Sequence, residues 1–201
     1  MRAMGYLDRH EDAEESYLFD KDKLYLVGTS EQSVGPFHAG DVLHEKELPK
    51  RYLSFSTCFR REAGSYGKDT RGIFRVHQFD KAEMFSFCTP EQSDGEHRFL
   101  LSLEEELMQK LDIPYRVVEA STGDLGNVAA AKYDIDAWFP SEQAYRETHS
   151  TSNCTDYQAR RLNVKYRPTA KGEKPRLVHT LNGTAFSQRP ILAIIENNQT
   201  E

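Results

Sequence analysis

Cysteine is scarce in this sequence. Cys58, Cys88 and Cys154 are odd in number, widely spaced and form no CxxC pair. That pattern excludes a disulfide framework and a structural zinc site, and it predicts three buried or half-buried thiols in a reducing cytosol. Long apolar runs are missing too. The longest, such as residues 191–195, are far too short to span a bilayer, so no membrane partner is expected. The N-terminal stretch MRAMGYLDRHEDAEE has no apolar core of the secretory type, and its acidity argues against a mitochondrial leader. A basic excess is absent: the net charge of −6 does not advertise nucleic-acid binding, so any RNA contact must come from local basic patches or from another segment. There is no internal repeat and no low-complexity tract.

What is present suits one soluble, folded domain. The chain has 201 residues, 38% hydrophobic and 29% charged, enough to bury a core and too apolar for long disorder. Residues 24–27 (LYLV) read as a strand entering a loop over 28–35. Residues 42–48 predict a short helix stopped by Pro49. Two β-rich runs, 51–60 and 73–87, flank a polar, glycine-bearing stretch over 62–72, which is the pattern of a hairpin with a long loop. The strongest helix is expected over 93–111, where Phe99, Leu100, Leu103, Leu107 and Leu111 recur at helical spacing. Then follow a strand over 115–119, a glycine turn with a short Ala-rich helix over 122–132, a strand over 133–139, a helix over 152–164 and a basic loop over 167–174. Residues 177–181 and 193–199 frame a last strand, turn and helix. The mixture predicts an α+β fold with an antiparallel sheet.

The hairpin carries the first candidate chemistry. Arg60 and Glu62 lie two apart and, on a strand, would share one face. By itself such a pair is commonly a salt bridge. Here Arg61, Lys68, Arg71 and Arg75 cluster around Gly64, Gly67 and Gly72, and cations on a glycine-bearing loop can wrap polyphosphate. The whole stretch over 58–83, CFRREAGSYGKDTRGIFRVHQFDKAE, resembles motif 2 of class II aminoacyl-tRNA synthetases, and its wording is similar to that of the seryl enzymes. The resemblance implies that Arg60 bridges the ATP α-phosphate and the amino-acid carboxylate and that Glu62 meets the adenine amino group. It also implies that Arg75 reaches the γ-phosphate, that Phe79 stacks on adenine and that Glu83 meets the ammonium and hydroxyl of serine.

Three further segments extend the resemblance. Thr29-Ser30-Glu31 alone reads as a turn or cap, but upstream of motif 2 it resembles the TxE loop that reads the serine ammonium. Desolvating an ammonium requires replacement ligands such as a carboxylate and a hydroxyl. The run YRETHSTSNCTDYQARR over 145–161 is similar to the family's metal segment. It implies Mg²⁺ held by Glu147 and Ser150, oxygen ligands of the kind a hard cation takes, with His149 where a small residue is usual. Arg160 and Arg161 are expected in a structural ion pair or on a tRNA-facing surface. The run LNGTAFSQRPILAIIE over 181–196 resembles motif 3. There Thr184 would face the serine hydroxyl with Asn182 beside it, and the family's register puts its arginine at Pro190, whereas the arginine here is Arg189. By the resemblance, Arg60, Glu62, Arg75 and Arg189 act in catalysis. Thr29, Ser30, Glu31, Arg60, Glu83, Asn182 and Thr184 bind serine. Arg60, Arg61, Glu62, Arg75, Val76, His77, Gln78, Phe79, Glu147, Thr148, His149, Ser150 and Arg189 bind ATP.

The resemblance runs from about residue 24 to the end. It implies a partial class II catalytic domain over 1–201 with motifs 2 and 3: an antiparallel β-sheet flanked by helices, incomplete at both ends. The tRNA-binding arm and motif 1 have no recognisable counterpart. The implied activity is cytoplasmic, ATP- and Mg²⁺-dependent activation of L-serine and its transfer to tRNA(Ser), by a homodimer when full-length. Two other readings stay open: a paralogue that loads an amino acid onto a carrier protein, and a catalytically silent binding module.

Overall fold

A computed structural model of the chain describes residues 1–7, 13–63 and 72–199. A two-stranded ribbon, β1 (Leu18–Phe19) and β2 (Leu24–Tyr25), leads into the short helix α1 (Glu31–Val34) and the strand β3 (Val42–His44). The long strands β4 (Lys50–Phe59) and β5 (Gln78–Cys88) follow, then the helix α2 (Ser93–Lys110). Next come β6 (Tyr115–Glu119), β7 (Ala131–Phe139), β8 (Ala144–Asn153), α3 (Tyr157–Leu162), β9 (Lys165–Arg167), β10 (Arg176–Leu177), β11 (His179–Ser187) and α4 (Gln188–Asn198). The main sheet has six strands in the order β4-β5-β11-β8-β7-β6, all antiparallel. The last strand is thus inserted between β5 and β8, and this insertion brings the C-terminal segment against the hairpin. The expected α+β fold with an antiparallel sheet flanked by helices is what the chain adopts.

Alternation along β5 and β11 gives the sheet two different faces. Met84 and Cys88 of β5 and Leu181 of β11 pack with Leu100 of α2 behind the sheet. On the other face Phe85 and Phe87 join Met4, Leu43, Leu48, Tyr166 and Val178. Helix α2 starts after a capping box between Thr89 and Gln92, with Pro90 in the first turn. A buried polar anchor fixes its position. Glu96 accepts from Arg51 Nε at 2.6 Å, Arg51 Nη2 at 2.8 Å and Ser86 Oγ at 2.8 Å, tying the helix to β4 and β5. At the far end of the sheet Ala193 of α4 packs with Ile135 and Phe139 of β7.

Several local expectations are overturned. Residues 42–48 are not a helix: Val42–His44 pair in parallel with β9, and only a 3₁₀ turn over Glu45–Glu47 follows. Residues 122–132 hold no helix either. Ala130 N donates to Asn153 O at 2.8 Å and Ala131 opens β7, so sheet pairing outweighs the helical propensity of alanine. The second hairpin strand begins at Gln78 rather than 73. Helix α3 is confined to Tyr157–Leu162, because Ser152 and Asn153 finish β8, and Asn163 at φ 55° stops it. The sequence reading did not anticipate β8 as a strand. Arg60 and Glu62 do not lie on a strand, since β4 ends at Phe59 and Glu62 has φ 54°. Gly64, Gly67, Lys68 and Arg71 lie outside the described residues.

A Cβ on Gly183 would stand 3.0 Å from Glu104 Oε1 and 3.1 Å from Thr151 Oγ1. Gly183→Ala should destabilise the fold by about 1–3 kcal/mol in denaturant unfolding, and Glu104→Ala in the same chain should restore part of that loss. For Glu96, burial alone would raise the carboxyl pKa, but the bonds from Arg51 and Ser86 outweigh it and hold the pKa below the ordinary value. A depressed carboxylate pKa contributes stability that is present at neutral pH and lost in acid. Glu96→Gln should therefore melt below the wild type at pH 7, with the gap closing as the pH falls through the carboxylate range.

Candidate active site

The TxE segment is held by backbone before side chains matter. Phe59 N donates to Val27 O at 2.8 Å, laying residues 27–28 beside the end of β4, and Arg60 Nε donates to Gly28 O at 3.2 Å. Gly28 N in turn donates to Gln32 Oε1 at 2.9 Å. Thr29 and Glu31 then face a cavity whose far wall is β11. Glu31 Oε1 accepts from Gln158 Nε2 at 2.8 Å and from Asn182 Nδ2 at 3.0 Å, and the Tyr6 hydroxyl donates to its other oxygen. Burial pushes the Glu31 pKa up and nearby Glu83 adds to this, while its hydrogen bonds oppose the rise. Thr29 Oγ1 is buried without a partner, an acceptor and donor aimed at whatever fills the cavity. Glu83 stands across from Thr184 in the β5–β11 register, and both line this lobe with Asn182. Buried polar side chains, Thr29, Glu31, Glu83, Asn182 and Thr184, form one side of the lobe, which suits a ligand carrying an ammonium and a short polar side chain.

A second lobe adjoins it. Arg60, Glu62, Phe74, Arg75, Val76, Phe79, Glu147, Thr148, His149, Ser150 and Arg189 line it. Arg60, Lys81, Ser150 and Thr184 line both lobes and form their junction. Arg75 is paired with Glu62. The Arg189 guanidinium donates to Glu147 O at 3.2 Å and lies 4.8 Å from the Phe74 ring centroid. Burial lowers the Arg189 pKa, and the neighbouring guanidiniums of Arg75 and Arg60 act in the same direction, while Glu147 opposes. Three arginines thus converge on one half-buried lobe, an arrangement that favours an anionic ligand. The Arg60 guanidinium is 5.4 Å from the Phe79 ring centroid.

The structure brings most of the expected residues together, and leaves some outside. Ser30 shares a 2.7 Å hydrogen bond with Ser54 of β4 and does not line either lobe. Arg61 is exposed, Gln78 is exposed, and His77 Nδ1 is 2.9 Å from the Tyr17 hydroxyl at the surface. His149, expected among the ATP-binding residues, lines the second lobe but is buried, bonded to Thr148 Oγ1 at 2.9 Å and pushed by burial down to about 4, so its ring is neutral at pH 7. Arg160 pairs with Asp156 at 3.3 Å, and Arg161 donates to Arg2 O at 2.8 Å. All three cysteines are free and buried, as their spacing predicted.

Sequence reasoning missed Tyr6, Phe74, Lys81 and Gln158. Lys81 could have been found by extending the alternation Phe79, Lys81, Glu83 along one face of β5. Nothing in the sequence ties Tyr6 or Gln158 to Glu31, which lie 25 and 127 residues away. The Glu147 carboxylate, half exposed, and the Ser150 hydroxyl, both on the second lobe, are the oxygen donors that could hold a divalent cation. Among the described residues no cluster of three His, Cys, Asp or Glu side chains could hold a metal. A cation here would share oxygens with its ligand and water, as Mg²⁺ commonly does.

A family model of the tRNA synthetase class II core domain (G, H, P, S and T) matches residues 17–198. The serine–tRNA ligase of Rhodococcus jostii (strain RHA1) is 55% identical over 199 residues, covering 99% of this chain and 47% of that protein. That of Thermobifida fusca (strain YX) is 54% identical over 201 residues, covering 100% of this chain and 47% of that protein. The chain therefore spans about half the length of the curated relatives it matches. A crystal structure of seryl-tRNA synthetase from Pyrococcus horikoshii complexed with ATP superposes with TM-score 0.92 at 50% identity, covering 99% of this chain and 45% of that one. Prolyl-tRNA synthetase from Giardia lamblia, at 16% identity and TM-score 0.80, shares the fold. With a family model matching most of its length and an antiparallel sheet that superposes on solved members, this chain belongs to the class II tRNA synthetase core-domain family.

Proposed function

We propose that this chain carries the serine-activating core of a serine–tRNA ligase. It forms seryl-adenylate from L-serine and ATP and passes the seryl group to tRNA(Ser), acting in the cytoplasm within a homodimer. The observation that carries the reading is the two-lobed cavity with Arg60 at its junction. One lobe holds the buried Glu31 and Glu83 with Asn182 and Thr184, and the other holds Arg75 and Arg189. The relatives' names, serine–tRNA ligase, support serine as the amino acid. In domain terms residues 1–201 are read as a class II catalytic region containing motifs 2 and 3.

The chemistry needs little covalent participation by the protein. A serine carboxylate oxygen attacks the α-phosphorus of ATP. That oxygen–phosphorus bond forms as the bridging bond to the β-phosphate breaks, and pyrophosphate leaves with the electron pair. Arg60 bridges the carboxylate and the α-phosphate, so it faces both partners of the reaction. Arg75 and Arg189 neutralise charge that grows on the departing phosphates. Glu31, with Thr29 beside it, and Glu83 replace the water around the serine ammonium. Thr184 and Glu83 take the hydroxyl, and Asn182 holds Glu31 in place. Phe79 offers a face to adenine, next to the Glu62 carboxylate. Glu147 and Ser150 would hold Mg²⁺, which when bound offsets phosphate charge. The carrier-protein reading shares the activation step and lacks tRNA charging, and the silent-module reading lacks both.

Serine-dependent ATP–pyrophosphate exchange tests the proposal. The wild-type protein should exchange with serine. Alanine should be poorer by a factor on the order of 10⁴, because a site built around a hydroxyl leaves buried polar groups unpaired without one. Arg60→Ala should lower exchange by about 10²-fold or more, in the range of a lost oxyanion-type donor. Absence of serine-dependent exchange in the folded protein at full length would sink both enzyme readings, and exchange without tRNA charging would favour the carrier reading.

A further inference from the structure

The pocket floor contains a cation that the roles above leave unused. Lys81 sits two residues before Glu83 on β5, so the two share one face of the strand. Its Nζ lies 2.6 Å from Glu83 Oε2. Lys81 is only 8% exposed and Glu83 only 2%. A lysine is rarely buried to this degree unless a partner holds it. It also lines both lobes, together with Arg60, Ser150 and Thr184. Glu31, 3% exposed, is the second carboxylate of the same lobe. Two buried carboxylates around one small cavity repel each other and resist ionisation unless a cation is close.

We propose that Lys81 is a positioning residue for amino-acid recognition. Its ammonium holds Glu83 in place and offsets the charge of the two pocket carboxylates, so that both are ready to receive the ammonium of the substrate. This inference rests on the activation reading above and deepens it by naming the group that prepares the pocket. Such preparation matters because the substrate brings only one positive charge to two carboxylates. Without an internal cation, the empty pocket would take up a proton, and binding serine would then require losing it.

The electrostatics of Glu31 run in the same direction: burial and then Glu83 raise its pKa, while the hydrogen bonds from Tyr6 and Gln158 and, to a smaller extent, Lys81 lower it. Among the described residues, the other titratable or charged groups facing this lobe are Tyr6 from the N-terminal turn, Arg60 beyond the end of β4 and Cys154 beyond β8. Glu104 of α2 lies behind the sheet, where burial and then Glu83 raise its pKa well above the ordinary value. Removing Lys81 disfavours the charged form of Glu31, so the acid limb of serine use moves to higher pH. A second consequence is asymmetric. Serine recognition depends on the two carboxylates, while ATP is gripped by the arginines of the other lobe.

The test measures exchange kinetics against pH for the wild type, Lys81→Met and Lys81→Arg, with melting temperature as a check on folding. Lys81→Met should raise the KM for serine by roughly 10- to 100-fold, the range for losing a charged hydrogen-bond partner. It should change the KM for ATP far less and shift the acid limb of kcat/KM for serine upward. Lys81→Arg keeps the charge and should leave the acid limb near its wild-type position. A purely structural lysine would instead lower the melting temperature and affect both substrates without moving the limb, which overturns the proposal. So would a Lys81→Met enzyme with wild-type serine KM and limb. Should Lys81→Met fail to fold, Lys81→Gln is read by the same criteria, and an arginine variant that behaves like the neutral one refutes the role of charge. A wild type without serine-dependent exchange would refute the activation reading itself, and that result is distinct from any difference among the variants.

Discussion

Burying Glu31 and Glu83 on one side of a small cavity is the constraint around which this chain is organised. A buried carboxylate is tolerated only when donors or a cation surround it, and the donors here come from distant parts of the sequence. Tyr6 arrives from the N-terminal turn, Gln158 from α3 and Asn182 from β11, all on Glu31. Lys81 comes from β5 itself. Each donor is costly to hold and none would be useful alone. Together they convert an unfavourable burial into a pocket in which Thr29 Oγ1, buried without a hydrogen-bond partner, is available to a ligand.

The insertion of β11 between β5 and β8 makes this convergence possible. Antiparallel pairing with β5 sets Thr184 opposite Glu83, and pairing with β8 sets Asn182 opposite Ser152. A slip of one residue in either ladder would turn Asn182 and Thr184 to the α2 side of the sheet. Gly183, between them, faces Glu104 and Thr151, so the same alternation that aims two polar side chains forward demands a missing one behind. Thr151 Oγ1 also donates to Asn182 O at 3.0 Å, which fixes the backbone beside that glycine. Packing behind the sheet and the placing of Asn182 and Thr184 in the lobe in front of it are set by one register.

Legibility in the sequence followed the range of the interactions. The hairpin strands and helix α2 were readable because alternation and helical spacing are local patterns, although Arg60 and Glu62 left the strand that was expected to carry them. Residues 42–48 and 122–132 were misread as helices because their structure is decided by partners, β9 and Asn153, that local propensity cannot see. The candidate site was readable through the resemblance of its segments, and Glu31, Glu83, Asn182 and Thr184 do line one lobe. Spacing alone gave only a polyphosphate-binding hairpin. Lys81 escaped notice because a lysine on a strand reads as surface, and only the buried face of β5 shows otherwise.

The departure in the third motif has a structural resolution. Pro190 is buried in the first turn of α4, where a missing backbone N–H removes no intrahelical hydrogen bond. Arg189, one residue earlier, lines the second lobe with Arg60 and Arg75. The strand before it carries a register shift between Thr184 and Phe186, so the approach to α4 is already irregular, and a one-residue change can be absorbed there. What results is a cation at the positive end of a helix dipole, beside two other guanidiniums. That arrangement is unfavourable in an empty lobe, and it accords with the lowered Arg189 pKa. Glu62 and Glu147 relieve part of the repulsion. An anion in the lobe would relieve more, because every positive element there, the helix end included, would then face a negative charge. The local rule against cations at a helix N-terminus is broken where a polyanionic ligand is proposed to bind, and there the violation favours the bound state over the empty one.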